Sequence, residues 1–168
     1  MRTLALVVLL GGSLTAAADG LLKVGDPFPS WTLTDQTGAK VSSKELAGKR
    51  YLLWFYPKAM TPGCTAEGQG LRDRADVFAK RGVTILGVSF DTPADNARFV
   101  AAERFPFRLL SDSDRTLAVA VGAADSTGTP VARRISYLVA PDGHVEKVYG
   151  TVNPSTHASD VLADLPAS

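Results

Sequence analysis

The sequence predicts one α/β layered domain, a central mixed sheet flanked by helices. Three observations predict it. Candidate strands and helices alternate along most of the chain. Two segments of strand length, YLLWFY at 51–56 and TILGVS at 84–89, read as strands buried inside a sheet. A hairpin signal and an amphipathic helix follow toward the end.

The first eighteen residues differ from the rest. Arg2 precedes an aliphatic run at 4–10, Gly11, Gly12 and Ser13 break it, and Ala16, Ala17 and Ala18 follow. This is the layout of a secretory signal with cleavage after Ala18. The run is too short to span a bilayer as a helix. An uncleaved anchor or a buried helix is the alternative. The expectation is a cleaved signal at 1–18 and a domain at 19–168 that works in the periplasm or is otherwise exported.

Residues 24–31 hold Gly25, Pro27 and Pro29 and read as irregular. Short strands at 32–34 and 40–42 flank the turn signal Asp35-Gln36-Thr37-Gly38, giving an N-terminal hairpin. The run at 51–56 is the central strand, and Pro57 ends it. From Cys64 to Lys80 the pattern is helical, with Leu71, Ala75 and Phe78 at helical spacing and Gly82 as the stop. After the strand at 84–89, Pro93 opens a helix to Glu103. Leu109 and Leu110 precede Asp112, and residues 115–121 form a short helix. A strand at 135–139, the turn Pro141-Asp142-Gly143 and a strand at 145–149 make a second hairpin. Residues 156–165 form the last helix. This order is compatible with a thioredoxin-like core.

A chain of 168 residues is about one domain, and it can bury a full core without staples. The formal net charge is +1, and Lys and Arg are scattered, so no nucleic-acid partner is implied. No other segment is long and apolar enough for a membrane helix, so no stable membrane association is expected. A monomer is expected, since no apolar stripe demands a dimer.

Cys64 is the chain's one cysteine, so no internal disulfide can form. An odd cysteine in an exported chain points to intermolecular pairing or a reactive thiol. An inert buried cysteine is the other reading, and the count does not separate them. The local sequence does. Pro57-Lys58-Ala59-Met60-Thr61-Pro62-Gly63-Cys64 joins the central strand to the first long helix. Such junctions are where α/β sheets build sites. Pro62 and Gly63 place Cys64 in the first helical turn, where free N–H groups and the positive helix end favour a thiolate. The Thr61 hydroxyl can donate one hydrogen bond and accept another. Pro57 and Pro62 stiffen the loop and shield the sulfur. Met60 either lines the substrate mouth or packs the loop.

The spacing of Pro57, Thr61 and Cys64, P-x-x-x-T-x-x-C, resembles the peroxiredoxin signature. FYPKAMTPGCTAEGQGLRD at 55–73 resembles the bacterioferritin-comigratory-protein (PrxQ-like) branch. Further similarity runs through Gly87-Val88-Ser89, PFRLLSD at 106–112, RISYLV at 134–139 with Asp142-Gly143, and residues 157–165.

The resemblance implies a thioredoxin-like fold and a thiol-dependent peroxidase acting on hydrogen peroxide or small organic hydroperoxides. Cys64 would be the nucleophile, oxidised to sulfenic acid. Thr61 would orient the peroxide, and Pro57 would pack over the thiolate. Arg134 would stabilise the developing charge, which suits a permanently charged, multiply donating guanidinium. Arg133 is adjacent, and strand alternation would send the two to opposite faces; the RISYLV match favours Arg134. Glu67 fits the motif helix as a supporting residue, or complements the helix dipole.

Many relatives carry a resolving cysteine five residues after the first; here that position is Gln69. The sulfenic acid must then be reduced by an outside thiol: a thioredoxin-like or glutaredoxin-like protein or a small thiol. His144 reads as a solvated strand residue and His157 as a helix-start polar residue. One cysteine and two separated histidines give little support for a metal site. No P-loop or dinucleotide fingerprint occurs, and no cofactor is expected. Trp31 and Trp54 read as core. A non-catalytic redox sensor or binding protein of the same fold is the alternative, and a holdase-like role a third. Neither would need the Pro57, Thr61, Cys64 and Arg134 set.

Overall fold

The computed structural model describes residues 20–166. The expected export signal at 1–18 lies outside the described residues. Seven strands form one sheet in the order β2-β1-β5-β4-β3-β6-β7.

The centre is β3 (Arg50–Phe55), running parallel to β4 (Val83–Ser89). Its other neighbour is the antiparallel β6 (Ile135–Val139). With a strand on each side and a core on each face, β3 beyond Arg50 has no position for a solvated side chain. Tyr51, Leu53 and Phe55 enter one core, and Leu52, Trp54 and Tyr56 enter the other. This is why the run at 51–56 does not alternate in polarity.

The hairpin of β1 (Thr32–Asp35) and β2 (Lys40–Ser42) forms as expected. Asp35 closes its turn, accepting from Thr37 N at 2.8 Å and Ala39 N at 3.1 Å. The hairpin joins the main sheet through β5 (Arg108–Ser111), which pairs antiparallel with β1 and parallel with β4. Leu109 and Leu110 therefore belong to a strand, one too short to show a period of its own. A short 3-10 turn at Ser43–Leu46 follows the hairpin, an element the sequence pattern does not signal. The second hairpin is β6 with β7 (Val145–Tyr149).

The helix expected from Cys64 to Lys80 is two helices, α1 (Pro62–Arg72) and α2 (Ala75–Lys80). No proline or glycine marks the break. Arg74 leaves helical geometry at φ −118°, ψ 9°. Arg72 Nη1 donates to Glu103 O at 2.9 Å and ties the end of α1 to the end of α3 (Pro93–Glu103). The restart turns Phe78 into the core. The short helix α4 (Thr116–Ala120) and the last helix α5 (His157–Asp164) lie where the pattern put them. Helices α1, α2, α3 and α5 pack on the Trp54 face, and α4 on the Phe55 face. Among the described residues, no helix is long and apolar enough to cross a membrane.

Candidate active site

The loop from β3 to α1 is fastened at its base. Tyr56 N donates to Val88 O at 3.0 Å and prolongs the ladder. The Tyr56 hydroxyl donates to Asn96 Oδ1 at 2.7 Å, and Asn96 Nδ2 donates to Ser111 Oγ at 3.2 Å, all buried. Burial holds the Tyr56 phenol well above its ordinary pKa, so it serves as a neutral donor. Ala59 N donates to Asp91 Oδ2 at 2.9 Å. Met60, with φ 65°, occupies the left-handed region without being glycine. It is 57% exposed, so loop packing does not account for it.

Thr61 is the N-cap of α1, and its hydroxyl donates to Lys58 O at 2.8 Å. The hydrogen is thus committed within the loop, and the oxygen keeps lone pairs for an incoming donor. Pro57, half-buried, follows Tyr56 at the strand end. Cys64 is the third residue of α1, where backbone N–H groups have no intrahelical acceptor. Its side chain is fully buried.

Arg134 arrives from the other side of β3. The register pairs Phe55 with Ile135, so the residue before Ile135 reaches the loop that leaves β3. Arg134 Nη2 donates to Cys64 Sγ at 3.4 Å, and Nη1 pairs with Glu67 Oε2. Arg133 points elsewhere, donating to Gly122 O at 3.0 Å and pairing with Asp125. Gly63 makes room for this arrangement: a Cβ there would lie 3.0 Å from Arg134 Nη2.

Glu67 is buried one helical turn beyond Cys64, on the same face. Burial pushes its carboxyl up to about 7, against the pull of Arg134. Its Oε1 stands 3.8 Å from His157 Nε2. His157 Nε2 shares a hydrogen bond with Ser136 Oγ at 2.9 Å. Burial pushes His157 down to about 4, so it is neutral at pH 7.

The structure thus brings Cys64, Arg134 and Glu67 together and sets Thr61 at the mouth of the same helix. It adds two residues. His157 starts α5, as expected, and is buried in this cluster. Ser136 joins it, and its one signal along the chain is to be a lone serine inside the apolar run ISYLV. His144 is exposed, as expected. Gln69 turns away toward α3, its Nε2 donating to Glu103 Oε2 at 2.8 Å. Among the described residues, no group of three or more His, Cys, Asp or Glu side chains is placed to hold a metal ion. A broad groove lined by Leu46, Arg50, Arg81, Phe107 and Arg108 lies at the other end of β3 and β4, away from all of these residues.

Comparison with known proteins agrees with this geometry. Residues 24–148 match the AhpC/TSA family. Peroxiredoxin Bcp of Escherichia coli is 40% identical over 146 residues, 84% of this chain and 94% of that protein. The crystal structure of peroxidoxin BcpB from Mycobacterium tuberculosis superposes with a TM-score of 0.79 at 33% identity, covering 86% of this chain and 96% of that one. The bacterioferritin comigratory protein of Xanthomonas campestris, described for its alkyl peroxide reduction activity, gives 0.76 at 31% identity over 88% and 97%. The chain belongs to the AhpC/TSA family and is a one-cysteine homologue of its Bcp and PrxQ peroxiredoxins.

Proposed function

We propose that this protein is a thiol-dependent peroxidase in which Cys64 attacks the peroxide. The observation that carries the reading is the Arg134 Nη2 hydrogen bond to Cys64 Sγ at the first turn of α1. The guanidinium sets a permanent positive charge and an N–H donor beside the attacking sulfur, and the nucleophilic form of a cysteine is the thiolate.

The Cys64 sulfur attacks the terminal oxygen of hydrogen peroxide or a small organic hydroperoxide. An S–O bond forms, the O–O bond breaks, and hydroxide or alkoxide departs and takes up a proton. The peroxide O–H donates to the free lone pair of Thr61 Oγ1, which aims the distal oxygen at sulfur. Arg134 also faces the charge that develops along the breaking bond. Pro57 and Pro62 keep the approach dry. Cys64 is left as sulfenic acid.

With one cysteine, the cycle closes through an external thiol. It attacks the sulfenic sulfur, water leaves, and a second thiol reduces the mixed disulfide. The reductant is a thioredoxin-like or glutaredoxin-like protein or a small thiol. The layout of residues 1–18 supports an exported, periplasmic location, which amino-terminal sequencing of the protein from the periplasmic fraction would test. Among the described residues, the large exposed apolar side chains are Val24, Met60, Val77 and Val131, far apart in the sequence, which supports a monomer testable by light scattering.

Peroxide consumption with a panel of thiols tests the enzyme. Wild type is expected to turn over with at least one thiol, and Cys64→Ser to fall to the uncatalysed rate. Equal rates for the two would exclude the reading and leave a binding or sensing role.

A further inference from the structure

Arg134 serves two buried groups at once, Cys64 Sγ through Nη2 and Glu67 Oε2 through Nη1. One guanidinium cannot balance two buried anions. The elements packed around Glu67 supply no second cation among the described residues. From α5, His157 is neutral at pH 7, and Asp160 on the same helix is acidic. From β7, Tyr149 packs its ring edge-on to His157 at 5.3 Å. From β6, Ser136 is bonded to His157. From α3, Glu103 holds Gln69 and Arg72 instead.

The other oxygen of Glu67, Oε1, is buried and has no hydrogen-bond partner among the described residues. A carboxylate would leave that oxygen bare, at the cost of an unsatisfied buried charge. A carboxylic acid places its hydrogen on Oε1, the atom facing His157, and keeps Oε2 as the acceptor of Arg134.

We propose that Glu67 holds the proton that Cys64 gives up when its thiolate forms, so that the two groups share one proton above one guanidinium. The step is Cys64–SH with Glu67–COO⁻ going to Cys64–S⁻ with Glu67–COOH. One proton moves, the charge of the cluster is unchanged, and Arg134 stays cationic. Attack on the peroxide then forms the S–O bond, and the departing oxide takes up one proton. Sulfur is now a neutral sulfenic acid and no longer competes for Arg134, so Glu67 releases its proton. Over the oxidation half of the cycle, uptake and release cancel. Burial already pushes Glu67 to about 7, close to the working pH of such a transfer. Glu67 is here a positioning residue for charge, acting through Arg134, and this deepens the peroxidase reading on which it rests.

The test reads the carbonyl stretch of a protonated buried carboxyl by infrared spectroscopy as pH is raised, alongside the thiolate absorbance. Carbon-13 labelling of glutamate, with Glu67→Gln as a second control, assigns the band. In reduced wild type the acid band should persist after the thiolate has appeared. In Cys64→Ser it should vanish at a pH lower by about one unit or more, because no thiolate competes for Arg134. Equal midpoints in the two proteins, or loss of the band before the thiolate forms, would overturn the proposal. Labelling assigns the band even if Glu67→Gln fails to fold. The readout uses no peroxide, so a protein that shows the shift but consumes no peroxide would refute the peroxidase reading alone.

Discussion

Gly63 decides how close Arg134 comes to the sulfur. A methyl group at this position would sit 3.0 Å from Arg134 Nη2, with Pro154 Cγ 3.9 Å away. Backbone strain plays no part, since Gly63 lies in the first turn of α1. Alanine is the better helix former by up to about 1 kcal/mol. Stability and activity should therefore separate in Gly63→Ala. The urea midpoint should hold or rise slightly. The guanidinium must move by a few tenths of an ångström, and the rate of peroxide attack should fall roughly 10- to 100-fold, a part of what losing a transition-state donor outright costs. Stopped-flow rates beside urea melts check this. An unchanged rate would mean that the hydrogen bond to Sγ does not limit the attack.

At the scale of the element, α1 carries two further glycines whose substitutions should have opposite signs. A Cβ at Gly68 would lie 2.3 Å from Phe105 Cζ. That ring stacks on Phe107 with centroids 5.0 Å apart and meets Phe99 edge-on at 4.9 Å. A buried aromatic cluster of this kind cannot step aside cheaply, and overpacking costs about 1–3 kcal/mol. At Gly70 the nearest atom to a new Cβ is Ala158 Cβ at 3.8 Å, an ordinary contact. Gly68→Ala should lower stability by about 2 kcal/mol, and Gly70→Ala should raise it by roughly 0.5 kcal/mol. Denaturant titration of both variants is the check, and a stable Gly68→Ala would show that Phe105 can repack. The same helix shows what is legible in the sequence. Its start is, because Pro62, Gly63 and Cys64 act locally through caps and first-turn geometry. Its break at Arg74 is not, because no proline or glycine marks it and the bond that ties the end of α1 runs from Arg72 to Glu103, thirty-one residues away. Arg134 is legible only through family resemblance, since an isolated arginine before a strand carries no local signal. The His157 contact with Ser136 joins α5 to β6, and no pattern along the chain encodes that pairing.

For the whole molecule, the central sheet is readable because strand runs of one polarity have one stable home, between two cores. The same burial makes the site a source of pH dependence for the entire fold. Glu67 is raised from 4.5 to about 7 in the folded chain, so it binds more proton folded than unfolded between those values. Its contribution to stability is full below pH 4.5 and is lost as pH rises through about 7. His157 works in the other direction. It is lowered from 6.5 to about 4, so its contribution is full above pH 6.5 and is lost as pH falls through about 4. Between pH 4.5 and 6.5 the two slopes oppose, so the wild-type profile should show little of either. Removing one group exposes the other. In His157→Gln the amide still reaches Ser136, but the rising slope is gone. The stability difference between wild type and this variant should grow in favour of wild type by about 3 kcal/mol from pH 4 to pH 6.5, because each tenfold change in proton affinity is worth about 1.4 kcal/mol. The variant alone should lose stability across the same window as Glu67 ionises. Urea midpoints at half-unit steps of pH measure both curves. A difference that stays constant with pH would mean that His157 titrates in the folded protein as it does in water, and that its burial beside Glu67 and Arg134 exerts no force on its proton.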